Sequence, residues 1–337
     1  MKIKIIFFAV LLILGLHSYS SDKNDSVHAT LSMEKKAEIK GVEISKYLKR
    51  DTHRVNLIIH YFSYLEHYNR NNKIAPLMTE ALDISREINY PLGMAKCLNF
   101  LSIKYHNNSM IDTSLIMTLE AIKILENLDI KPNDILDAYT NLSTIYITTN
   151  EFEKALEINL KTVAIIENEE EVLAHARIYF YTAMCYSKLK DYKNAEKFYL
   201  KAKQNAVKFN FEGGVVIANG SLAEVYNNLE EYEKALPIIF ESISYSKKTN
   251  QLNTLAASNH ILGNSYLGLK KYKKAVKSYE KALKIFDELG NKNIHKDIYL
   301  GLFNAFEKLG MYKESLKNHV LASQITDSLF NIEKNTV

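Results

Sequence analysis

An aromatic residue is followed six positions later by a second aromatic and three positions after that by a small residue, and this triplet recurs five times at a constant step of 40 residues. The first aromatics are Tyr146, Tyr186, Tyr226, Tyr266 and Phe306. The second are Phe152, Tyr192, Tyr232, Tyr272 and Tyr312, and the small residues are Ala155, Ala195, Ala235, Ala275 and Ser315. A fixed period in this range means that one supersecondary unit stacks on copies of itself, each burying its apolar face only against its neighbours. Such an array escapes the size limit of a single core, so a length of 337 residues does not demand separate globular domains. With only 11 Gly and 4 Pro, no Trp, and abundant Ala, Leu, Ile, Glu and Lys, the unit is helical rather than stranded.

One copy shows how the spacing works. Leu136 to Thr149 reads as a first helix, Asn150 as the turn, and Glu151 to about Asn168 as a second helix. Leu142 and Tyr146 are four apart, so they share the face turned into the hairpin. Phe152 opens the second helix beside Tyr146. Ala155 falls at the crossing, where a small side chain lets two backbones approach.

These residues resemble the tetratricopeptide repeat. The unit from Ala256 carries Leu262, Gly263, Tyr266, Tyr272, Ala275, Tyr279 and Ala282 in that family's register. The unit from Ala176 has Ala183, Tyr186, Tyr192, Ala195, Tyr199 and Ala202; that from Val216 has Leu222, Ala223, Tyr226, Tyr232 and Ala235; the last, from Lys296, has Leu302, Phe306, Tyr312 and Ala322 with Ser315 at the crossing. The resemblance implies an all-α fold, a right-handed superhelical solenoid of stacked antiparallel hairpins. It also implies a non-enzymatic scaffold that binds a peptide or helix of a protein partner in a concave groove lined by the first helices. The family's common unit is about 34 residues with a closing Pro. Here the step is 40 and that Pro is absent, so the second helix or the following link is longer.

Upstream the pattern thins. Leu101, Ser102, Tyr105 and Ala121 place a unit at 95–135, and Tyr61, Leu65, Ala81 and Leu82 place one at 55–94. With 136–175, 176–215, 216–255, 256–295 and 296–330 this makes seven hairpins, preceded over 21–54 by a polar stretch and a capping helix begun by Ser32, and followed by a tail at 331–337. Pro237 falls inside a second helix and is expected to bend it.

Residues 1–20 read as an export signal: Lys2 and Lys4, an apolar run from Ile5 to Leu16, then Ser18 and Ser20 ahead of Ser21. That run would span only about 18 Å as a helix, against roughly 30 Å of bilayer core. Cleavage, leaving an exported and periplasmic chain without a membrane span, is the expectation; an uncleaved anchor is the alternative. Cys97 and Cys185 lie on different hairpins, two repeats apart, and are expected to be buried free thiols.

Several function classes are excluded on composition and motif. The net charge is +4, falling to +2 without Lys2 and Lys4, and only Arg50, Arg54, Arg70, Arg86 and Arg177 supply guanidinium groups, so nucleic acid is not an expected partner. No metalloprotease, phosphate-loop or nucleophile-elbow motif occurs, and Gly213-Gly214 is read as a turn; no catalytic residue and no cofactor is expected. His53, His60 and His67, spaced by seven, are not expected to hold a metal. The lysine-rich stretches 188–208 and 270–284 read as solvated faces.

The arc of each first helix that faces away from its own hairpin defines the expected groove. It carries Asn141, then Arg177, Phe180, Tyr181 and Met184, then Ile217 and Glu224, then His260 and Asn264, then Asn304. Phe180, Tyr181 and Met184, with Ile217, are read as an apolar anchor for one large partner side chain. Asn141, Asn264 and Asn304 are read as amides that hold a peptide backbone. Some proteins of the resembled family clamp an acidic carboxyl terminus with Lys, Asn and Arg; here Arg177, Lys188 and Lys308 stand among neutral and acidic residues, so that specificity is not expected. An alternative is a sensory repeat region. The ending Asp327-Ser328-Leu329-Phe330-Asn331, then Glu333-Lys334, resembles the segment that closes the array in bacterial membrane sensors of the histidine kinase or helix-turn-helix regulator type.

Overall fold

The structure, a computed structural model, describes residues 33–65, 74–130, 133–292 and 294–335. The expected export segment, the polar stretch after it, Ser32 and His67 lie outside those residues. Among the described residues the chain forms fifteen helices and no strand. Helix α1 (Met33–Lys46) packs against α2 (Thr52–Leu65) ahead of the first hairpin; α2 pairs with α3 (Ile74–Glu87), α4 (Pro91–Asn107) with α5 (Ile111–Glu126), and α6 (Asn133–Thr148) with α7 (Phe152–Ile166). Then come α8 (Ala174–Lys188) and α9 (Tyr192–Lys208), followed by the pairs α10 (Glu212–Asn228) with α11 (Tyr232–Lys248), α12 (Leu252–Gly268) with α13 (Tyr272–Glu288), and α14 (His295–Lys308) with α15 (Tyr312–Asn335). First helices begin ahead of the boundaries drawn from the aromatic anchors, at Asn133 rather than residue 136 and at Glu212 rather than residue 216.

The chain divides into two compact units, one closing at Lys190 and the other opening at Asp191. Each is a helical solenoid in which consecutive helices pack together and the first helices of successive hairpins also touch, α4 with α6 and α6 with α8 in the N-terminal unit, α10 with α12 and α12 with α14 in the C-terminal one.

One turn geometry ends nearly every helix. Asn150, Lys190, Asn210, Glu230, Asn250, Lys270, Gly290 and Gly310 all have positive φ, at steps of 20 residues from Lys190 onward. Around Glu230 the Glu231 N–H donates to the Tyr226 carbonyl at 2.8 Å and the Glu230 N–H to the Asn227 carbonyl at 3.2 Å, the paired bonds of a Schellman cap that satisfy carbonyls the helix leaves open. The same two bonds recur at Lys270 and Lys271, within a hairpin, and at Asn210 and Phe211, between hairpins. Helices α9 to α13 are each 17 residues long. The 40-residue step is therefore two equal halves, each a helix and a three-residue turn. The length beyond the common repeat lies in the helices and not in a longer link.

The crossing positions behave as their size requires. Ala155, Ala195, Ala235 and Ala275 are fully buried. Ser315 adds a hydroxyl there and satisfies it on the Phe303 carbonyl at 3.1 Å, and Ser114 does the same on the Ser102 carbonyl at 2.8 Å. Between α12, α13 and α14 the closest approach needs glycine. Tyr279, 0% exposed, lies where a Cβ on Gly263 would meet its ring at 2.5 Å and a Cβ on Gly301 would meet it at 2.5 Å from the other helix. Helix α11 runs on through Pro237, which removes one backbone donor without ending it. Cys97 and Cys185 are both buried and unbonded, as expected.

Candidate functional site

In the N-terminal unit, α4, α6 and α8 lie side by side, and the polar side chains of the expected groove link them to one another. The Asn141 Nδ2 donates to Asn99 Oδ1 at 2.6 Å, His106 Nε2 meets Thr148 Oγ1 at 3.0 Å, and Arg177 Nη2 pairs with Asp137 Oδ1 at 2.9 Å. The residue separations of 40 and 42 lie at the repeat step or two residues beyond it, so each link ties one hairpin to the next. Arg177 is 3% exposed, so its guanidinium is a structural strut for α6 and α8 rather than a contact offered to a partner.

The apolar anchor expected on α8 is not available. Phe180, Tyr181 and Met184 are all buried, Tyr181 to 1% exposure. The physical reason is that α8 is enclosed on every side: each residue from His175 to Cys185 is buried, so the arc that a helical wheel assigns to solvent is interior here. Burial holds the Tyr181 hydroxyl in its protonated form, and with Thr140, Thr144 and Ser102 it lines a cavity of ≈ 20 Å³, the size of a single water. Ile217 is half-buried and belongs to the other unit.

The C-terminal unit differs. Here α10 and α12 open a cavity of ≈ 520 Å³ lined by Glu224, Asn227, Asn228, Tyr232, Asn264, Leu267 and Gly268. The volume is in the range of sites that hold a side chain and its flanking backbone. Asn227 is spent within the protein: its Nδ2 donates to the Ile261 carbonyl at 3.3 Å and its Oδ1 accepts from Ser265 at 2.8 Å, tying α10 to α12. Asn264 accepts from the Tyr279 hydroxyl at 2.7 Å, and burial raises the Tyr279 pKa, so that phenol remains a donor. Asn228 Nδ2 donates to the Glu224 carbonyl at 2.8 Å. Tyr232 closes the end of the cavity, its ring so near Gly268 that a Cβ there would sit 2.2 Å away.

Of the residues singled out from sequence, the cavity brings together Glu224 and Asn264. His260 lies next to it on α12, half-buried, with its ring 6.1 Å from that of Tyr279. Asn304 is exposed on α14 and does not line the cavity. Asn227, Tyr232 and Leu267 escaped the sequence reading. All three sit at the turn end of their hairpins, and the 40-residue step already marked Tyr232 as structural, which hid its second role. Among the described residues no cluster of His, Cys, Asp and Glu could hold a metal ion, and no helix is long and apolar enough to cross a membrane.

Two stretches of the chain, residues 256–289 and residues 176–205, match the tetratricopeptide repeat. Among solved structures, the chain is similar to the signal transduction ATPase with numerous domains from Pyrococcus horikoshii, a protein with a tetratricopeptide repeat sensor, with a TM-score of 0.61 and 14% identity over 90% of this chain and 50% of that one. It is similar to the apo form of RapI, with a TM-score of 0.60 and 16% identity over 82% of this chain and 99% of that one. A Rap protein complexed with the competence and sporulation factor gives a TM-score of 0.57 and 17% identity over 88% and 80% of the two chains. A search of curated proteins finds no match.

Proposed function

We propose that this chain, which carries tetratricopeptide repeats on an all-α solenoid, is a non-catalytic scaffold that binds an extended segment of a protein partner across α10 and α12. One observation carries the reading: a ≈ 520 Å³ cavity between α10 and α12 gathers the side chains of Asn227, Asn228 and Asn264 beside Leu267 and Tyr232. In the N-terminal unit the corresponding polar groups are consumed in joining hairpins. Leu267 and the Tyr232 ring supply apolar walls, and the amides supply directional bonds to a backbone, which is the division of labour expected of a peptide site. We further propose that the scaffold acts outside the cytoplasm, after loss of residues 1–20. Support for that comes from Lys2, Lys4, the run Ile5 to Leu16 and the small residues before Ser21.

The test is a photo-crosslinking amino acid placed at Leu267 of the full chain expressed in its host, beside the same group at Lys281, which is exposed on the second helix α13. Discrete adducts from position 267, mapping to one contiguous segment of a partner and absent from position 281, support the reading. Identical adducts from both positions overturn it. Amino-terminal sequencing of the same material reads the export proposal, which a chain still beginning at Met1 refutes.

A further inference from the structure

Inside the C-terminal unit the second helices α11 and α13 each carry a covered row. Helix α11 lies under α12 and α13 under α14, the first helices of the hairpins that follow. Along α11 the row is Tyr232, Leu236, Ile239 and Ile243, spaced so that all four share one face, and Leu236 and Ile239 pack in one apolar cluster with Ile261 and Leu262 of α12. Tyr272, Val276, Tyr279 and Leu283 repeat the row along α13, and in both helices every member is buried or half-buried. The 40-residue step brings the same row to α15 as Tyr312, Leu316, His319 and Ser323. Here it is open: Tyr312 is 72% exposed and Leu316 64%, His319 and Ser323 are exposed, and Met311 and Val320 stand exposed beside them.

The make-up of the open row indicates its use. A face that only had to dissolve would be polar throughout, as a capping repeat requires. A face held permanently under another hairpin would be apolar throughout, as the rows of α11 and α13 are. The row on α15 is neither: two members are apolar and two polar, the mixture found on surfaces that are free at one time and covered at another. We propose that this row docks an amphipathic helix of a protein partner, lying across α15 as α12 lies across α11 and α14 across α13, with apolar residues against Tyr312 and Leu316 and a hydrogen-bonding side chain against His319 and Ser323. The occupant is a helix because a helix covers the row at both interior positions. None of the four residues lines the cavity between α10 and α12, so this is a second interaction surface, independent of the first.

The experiment places benzoylphenylalanine, a photo-crosslinking residue, in place of Leu316 in the full chain expressed in its host, and, as the control, in place of Lys277, which is exposed on α13. Adducts from position 316 are expected to map to one segment of another protein and to be absent from position 277. A synthetic peptide of that segment should gain helical circular dichroism when the full chain is added. It should bind Tyr312→Glu about thirtyfold more weakly, the loss expected of an aromatic anchor, and His319→Ala about two- to tenfold more weakly, the range of one hydrogen bond. Because Tyr312 and His319 are exposed, both variants should melt with the unmodified chain, which separates lost binding from lost fold. No adduct from position 316, adducts shared with position 277, or adducts to this chain or to a second copy of it overturn the proposal. So does a peptide that binds without becoming helical, or that binds Tyr312→Glu as tightly as the unmodified chain. None of these outcomes bears on the cavity, which is read separately from position 267.

Discussion

Gly220 and Gly263 lie inside neighbouring first helices, α10 and α12, and replacing either by Ala removes the same helix-interior penalty of about 0.8 to 1.0 kcal/mol. Their surroundings predict opposite outcomes. A Cβ on Gly220 would find its nearest heavy atom, Ile261 Cδ1, at 4.0 Å, an ordinary contact, so Gly220→Ala should stabilise by about 1 kcal/mol. A Cβ on Gly263 would sit 2.5 Å from Tyr279 Cδ1 and Cε1, on a ring that Gly301 confines from the other side. Overpacking of that kind costs about 1 to 3 kcal/mol. A displaced ring also gives up the bond to Asn264, a further ~1 kcal/mol. After the propensity gain, Gly263→Ala should be destabilising by about 1 to 3 kcal/mol, and the two variants should differ by roughly 2 to 4 kcal/mol. Amide hydrogen exchange resolves stability element by element, which suits a repeat array better than one global transition. Protection of α12 to α14 should fall in Gly263→Ala and hold or rise over α10 to α12 in Gly220→Ala. A shift of the same sign and size in both variants would mean that Tyr279 is not clamped as described.

The left-handed turns make a second prediction: Glu230→Gly and Lys270→Gly, at φ 61° and 58°, should each stabilise by about 0.5 to 1 kcal/mol in thermal melts, the relief of an unfavourable backbone region less the added entropy of an unfolded glycine, whereas Gly310→Ala, at φ 73°, should destabilise by a similar amount. At the helix crossings, Ala235→Trp should cost about 1 to 3 kcal/mol or more because Ala235 is fully buried, while Lys197→Ala on the exposed face should change little; equal effects would put the register in error. Burial pushes the His175 imidazole below its usual value, against a smaller upward pull from Glu171. The unfolded chain therefore binds the proton more readily than the folded one. The stability that neutral His175 contributes is complete above the unfolded value of about 6.5 and declines as pH falls below it, so denaturation midpoints of His175→Gln should depend less steeply on pH in that acid window. Both thiols, pushed up to about 12 by burial, should resist thiol reagents until the chain unfolds.

The array was legible in sequence because its most demanding contacts admit few residue types. Only a small side chain fits where two backbones cross, and Ala155, Ala195, Ala235 and Ala275 announce it at the constant step. The pattern thins upstream for a physical reason as well. Positive φ occurs at Ser109 and at Asn150, one residue more than a repeat apart, and a serine with a self-satisfied hydroxyl replaces the crossing alanine at Ser114. The half-length period stayed hidden because the left-handed positions hold Asn, Lys, Glu and Gly indifferently, the turn being secured by backbone bonds that any residue can make. The groove was read least well. A helical wheel separates the side facing a helix's own hairpin from the opposite side, but it is blind to neighbouring helices, which is why Phe180, Tyr181 and Met184 were assigned to solvent and prove buried. Likewise Asn141 and Arg177 look like offered ligands until the partner one repeat away, Asn99 or Asp137, is seen to take them. Glu224 and Asn264 were found because their neighbours leave space above them.

The turns that repeat every 20 residues make the distinction between first and second helix a matter of parity. Nothing in the turn itself tells a helix whether it closes a hairpin or opens the next, since Asn210 and Glu230 are capped alike. Duplication or loss of one helix with its turn would meet no obstacle at the caps, yet it would exchange odd for even along the rest of the chain and set the crossing alanines against the wrong neighbours. The caps would permit growth in single helices, but the crossing residues would not: Ala155, Ala195, Ala235 and Ala275 recur once per 40 residues, so the packing between helices keeps the array to whole hairpins.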